Sequence, residues 1–116
     1  MGFAPFVDPD LAAAIKIEAA NRGIYQWWVV QEALRRGLPT VPPADEPGLP
    51  RVAYQAHRNR LRPRAMVSAY IDSKIIADIR SHAAGQLHYW WVAQEALRRG
   101  LPLLPAPGQE ELPQTA

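Results

Sequence analysis

The stretch WWVVQEALRRGLP at residues 27–39 recurs as WWVAQEALRRGLP at residues 90–102, with twelve of thirteen positions identical. The match continues upstream in looser form. Phe6-Val7-Asp8 aligns with Tyr70-Ile71-Asp72, Leu11 with Ile75, Ile15 with Ile79, and Ala19-Ala20 with Ala83-Ala84, with one residue fewer in the second copy near Gly85. The 116-residue chain is therefore a tandem duplication of a unit of about forty residues. A unit of that size is too small to bury a sufficient core alone, so the two copies are expected to share one. The division that follows is a first repeat over 1–38, a Pro- and Arg-rich connector over 39–65, a second repeat over 66–101 and a flexible tail over 102–116. Both repeats are expected to form one compact domain.

Each repeat reads as a short strand followed by two helices. In the second copy, alternation places Val67, Ala69 and Ile71 inward with Ser68 and Tyr70 outward. In the first, Phe3, Pro5 and Val7 point inward with Ala4 and Phe6 outward, and Pro5 fits only where its missing N–H would face solvent. Asp8 and Asp72 then stand as helix caps, with Pro9 at a first helical position. The spacing of Leu11 and Ile15, and of Ile75 and Ile79, marks a buried stripe. Gly23, and Gly85 with Gln86, end this helix. A second helix is predicted from about Tyr25 to Arg36 and from about His88 to Arg99. Gly37 and Gly100 are read as left-handed C-terminal caps, with the following proline blocking continuation.

The net charge is only +2, but the positive charge is concentrated in the connector as Arg51, Arg58, Arg60, Arg62 and Arg64. A local basic stripe points to an anionic partner. There is no cysteine, and no apolar run approaches the roughly 20 residues of a membrane span. No secretory pattern opens the chain, so a cytoplasmic location without membrane attachment is expected. His57, His82 and His88 show no paired metal-ligand spacing, and Asp8, Asp10, Asp72 and Asp78 read as capping or surface carboxylates. No phosphate loop or nucleophile motif is present. No enzyme activity, metal or cofactor is expected.

A strand, a helix, a turn and a second helix ending in Glu-Ala-Leu-Arg-Arg resembles the ribbon-helix-helix family of DNA-binding proteins, over roughly two thirds of the chain. The resemblance implies a mainly α fold with a two-stranded antiparallel β-ribbon, here a tandem pseudo-dimer in which one chain supplies both strands. It implies that the ribbon enters the major groove of double-stranded DNA and that the start of each second helix holds a phosphate. Carried onto this chain, base contacts fall to Phe6, Ser68 and Tyr70, with Arg64 leading into the second strand. Phosphate contacts fall to Tyr25, Gln26, His88 and Tyr89, with Arg58, Arg60 and Arg62 from the connector. The implied function is transcriptional regulation, as a repressor or as a plasmid maintenance or transfer accessory factor, with self-association on adjacent sites.

Two other readings compete. The apolar Ala4 and Phe6 suit a protein-interaction module that has lost DNA binding, with Trp27 and Trp90 at the helix starts as the partner surface. An antitoxin role lies between the two. Trp28 and Trp91 are expected in the core.

Overall fold

The computed structural model describes residues 2–3, 6–49, 65–66 and 69–109. Pro9 opens helix α1 (Pro9–Arg22), where its missing N–H costs nothing, and Asp10 in the first turn suits the positive end of the helix. The helix closes at Gly23, whose φ of 65° is left-handed, with Ile24 donating to the Ala19 carbonyl across the end. After two residues the chain enters α2 (Gln26–Gly37). The second repeat runs in parallel. Helix α3 (Ser73–Ala83) is capped by the Asp72 carboxylate, which accepts from the Lys74 N–H at 3.0 Å. Its left-handed closure begins at Ala84, with φ 51°, one residue before the expected Gly85. Helix α4 (Tyr89–Gly100) follows.

The two repeats share one core. Leu11, Ile15, Trp28, Val30 and Leu34 from the first pack in the same cluster as Ile75, Ile79, Leu87, Val92 and Leu97 from the second. Helices α2 and α4 make the most extensive contact between elements. They cross so closely that a Cβ on Gly37 would lie 1.8 Å from the Ala96 carbonyl oxygen, and one on Gly100 would lie 1.8 Å from that of Ala33. This corrects the reading of both glycines as left-handed caps. Gly37 has φ −83° and ψ −32°, Gly100 has φ −81° and ψ −27°, and both are right-handed helical residues. Glycine is required there because one backbone rests on the other. The following prolines do not stop the chain's helical course either. Leu38–Thr40 and Leu101–Leu103 each form a turn of 3-10 helix, with proline near its start.

Polar contacts between repeats are reciprocal. The Asp8 N–H donates to Gln94 Oε1 at 2.9 Å, and the Asp72 N–H donates to Gln31 Oε1 at 3.0 Å. Each second helix thus fixes the segment that enters the other repeat's first helix. The beginning of the connector is also tied across: Arg99 donates to the Thr40 carbonyl at 2.6 Å, the His82 ring meets the Pro42 carbonyl at 2.7 Å, and Val41 is buried. On the tail side, Leu104 packs against the core.

The expected two-stranded β-ribbon is overturned. The described residues are mainly helical and hold no continuous ribbon, so the fold is not the ribbon-bearing pseudo-dimer anticipated from the resemblance. Extended pairing among them amounts to two antiparallel ladders of two residues each. Gly2–Phe3 lies against Ala69–Tyr70, and Phe6–Val7 against Ala65–Met66. Pro5, in the middle of the first leading segment, has no N–H to give a ladder. The helices and their shared core set the architecture instead.

Candidate nucleic-acid interface

The starts of α2 and α4 are the most distinctive equivalent features of the two repeats. Tyr25 and His88 stand at the N-cap positions with extended backbone, and neither side chain caps its helix. Neither first turn contains an acidic residue. The first N–H groups of a helix have no partner within it, and the helix dipole places partial positive charge beside them. Both starts therefore put the positive end of a helix dipole beside a first turn without negative charge, the local chemistry that suits an anion.

Aromatic side chains surround both starts. The Tyr25 and Trp27 rings are stacked, with centroids 6.2 Å apart and planes at 18°. The His88 and Trp90 rings lie 5.9 Å apart at 32°. Tyr25 is 65% exposed and Tyr89 51% exposed, whereas Gln26, Trp27, His88 and Trp90 are half-buried. Trp27 also packs against the core. The Nε2 of His88 is buried and has no hydrogen-bond partner among the described residues. Trp28 is buried as expected, at 3% exposure, while Trp91 is half-buried at the edge of the core. Pro105 and Gln109 of the tail line a cavity together with Trp28.

The other candidate residues are placed less fully. Phe6 and Tyr70 lie in the two short ladders, where their backbones are described. Ser68, Arg58, Arg60, Arg62 and Arg64 lie outside the described residues. The described arginines at the ends of α2 and α4 are engaged elsewhere. Arg35 and Arg36 both pair with the buried Glu32, and Arg98 bridges to Asp8 at 3.0 Å. Arg98 thereby joins the two repeats, whereas the Arg35 and Arg36 pairs lie within α2.

The residues that fix the entries to α1 and α3 against the opposite second helix carry no role in the sequence analysis. Gln31 and Gln94 accept from the backbone of the opposite repeat, and Gln94 is buried while doing so. Their identity in both copies was the available signal. Among the described residues no cluster of His, Cys, Asp or Glu could hold a metal ion, and no helix is long and apolar enough to cross a membrane. The chain matches no family model, no curated protein and no solved structure.

Proposed function

We propose that the chain binds double-stranded DNA and acts in the cytoplasm as a transcriptional regulator, as a repressor or as an accessory factor of plasmid maintenance or transfer. One observation carries this reading. A single polypeptide presents the same uncapped, acid-free helix start twice, and a reciprocal clasp holds the two repeats together. A protein with two equivalent anion-binding ends suits the two-fold character of a DNA site. The resemblance of the helical parts to the ribbon-helix-helix family points the same way.

In this reading the backbone N–H groups at Gln26 and Tyr89, with Tyr25 and His88 beside them, contact phosphates. Arg58, Arg60 and Arg62 add charge from the connector. Base contacts fall to the segments leading into the first helices, through Phe6, Arg64, Ser68 and Tyr70. Intact units bind neighbouring sites and contact each other. Replacing Arg58, Arg60, Arg62 and Arg64 together with Ala tests the electrostatic part by mobility shift over a salt series. The affinity falls, and the dependence of log affinity on log salt becomes shallower by roughly one for each phosphate that the variant no longer neutralises. An unchanged slope removes the connector from the mechanism.

A second reading is favoured by the aromatic pairs. Tyr25 with Trp27 and His88 with Trp90 offer partly exposed aromatic surface of the kind that anchors protein partners. A protein-interaction module or antitoxin would use these rings without DNA. Failure of the chain to bind even nonspecific duplex at low salt would favour it.

A further inference from the structure

The two repeats differ at one place where their equivalence predicts a matched contact. In one half, Arg98 near the end of α4 bridges to the Asp8 carboxylate at 3.0 Å. The corresponding residues in the other half are Arg35 and Asp72. There Arg35 turns to Glu32 at 3.3 Å, and Asp72 caps α3. A cavity of about 510 Å³ opens between them, a volume within the range of small-molecule sites. Its lining includes the cations Arg35 and Lys74, the carboxylates Asp72 and Asp78, and the apolar Leu38 and Ile75. Among the described residues neither the Lys74 amine nor the Asp78 carboxylate has an ion-pair partner. The two stand four residues apart on α3, so they share one face of the helix with their Cβ atoms roughly 5–6 Å apart. Their counterparts in the first repeat are Asp10 and Ala14, which offer no such pair.

The geometry points to this cavity as a binding site for a free apolar α-amino acid. The ligand carboxylate meets Lys74 and Arg35, its ammonium meets Asp78 and Asp72, and its side chain lies on Leu38 and Ile75. An uncommitted cation and anion on one helix face, beside an apolar floor, match the three chemical parts of such a zwitterion. The site is independent of DNA binding and would persist if that reading failed.

The test is calorimetric titration of the full chain with L-valine, L-leucine, L-isoleucine, L-methionine and L-phenylalanine. At least one binds saturably. Its amide, which lacks the carboxylate, and its N-acetyl derivative, which lacks the ammonium, each bind at least tenfold more weakly. Lys74 and Asp78 are exposed, so Lys74→Ala and Asp78→Asn leave the fold intact, as thermal unfolding verifies, and each weakens binding at least tenfold. No saturable binding by any of the five overturns the proposal. So does binding that survives both substitutions, or binding by the blocked derivatives at undiminished strength.

Discussion

A methyl group placed on Gly37 would press into the Ala96 carbonyl, and one on Gly100 into that of Ala33, so each glycine permits a backbone contact that alanine forbids. Gly37→Ala must force α2 and α4 apart across the centre of the shared core. We expect a loss of about 3 kcal/mol in urea unfolding, at the upper end of overpacking costs. Gly23 makes the contrast, because nothing lies within 4 Å of its would-be Cβ and only its left-handed φ is at stake. Gly23→Ala should cost about 1–2 kcal/mol. A Gly37→Ala cost no larger than that would show that the helix crossing opens freely. The glutamine clasp gives a second test at this scale. Gln94→Leu leaves the Asp8 N–H without its acceptor in a partly buried site, whereas the Gln31 contact to Asp72 is exposed and water can replace it. Gln94→Leu should cost about 1–3 kcal/mol, and Gln31→Leu distinctly less. A reversed order would mean that the first of these contacts is not sheltered.

The helices were legible because their signals are local. Asp-Pro at the head of α1, the four-residue apolar spacing and Gly23 at its end each act within a turn or two, and each expected helix is present to within a few residues. Legibility failed where the role of a residue depends on a distant one. Gly37-Leu38-Pro39 has the local pattern of a helix stop, yet tertiary contact with Ala96 decides what Gly37 is for. The ribbon failed for a related reason. Alternation in a few residues shows which sides of a segment differ, but not how far pairing extends between segments some sixty residues apart. The candidate site was legible at the helix starts, which are local. It was not legible at the Gln31 and Gln94 clasp, whose partners lie in the other repeat. The end of α3 allows a prediction at this scale. Ala84 holds φ 51°, a conformation that costs a side chain and is free to glycine. Ala84→Gly should raise stability by about 1 kcal/mol, read as a higher urea midpoint. Loss of stability there would mean that backbone entropy outweighs the strain.

For the whole molecule, duplication places two equivalent helix starts in one polypeptide and lets their surroundings diverge. Tyr25-Gln26 at one start corresponds to His88-Tyr89 at the other, and the bridge from Arg98 to Asp8 is answered by an open cavity beside Arg35. The core-forming second helices remain almost identical, since each must fit the other. The most direct test of DNA binding puts negative charge at both starts. Gln26→Glu with Tyr89→Glu places a carboxylate in each first turn, which favours the helix by about 0.3–1 kcal/mol while repelling a phosphate. The measurement is fluorescence anisotropy of a labelled duplex titrated with wild-type and doubly substituted chain at low ionic strength, with thermal unfolding of both proteins alongside. Wild-type protein should bind in a salt-dependent manner, and the double variant should bind at least tenfold more weakly with undiminished thermal stability. Equal binding by the two proteins, or none by wild type to any duplex, would contradict the account.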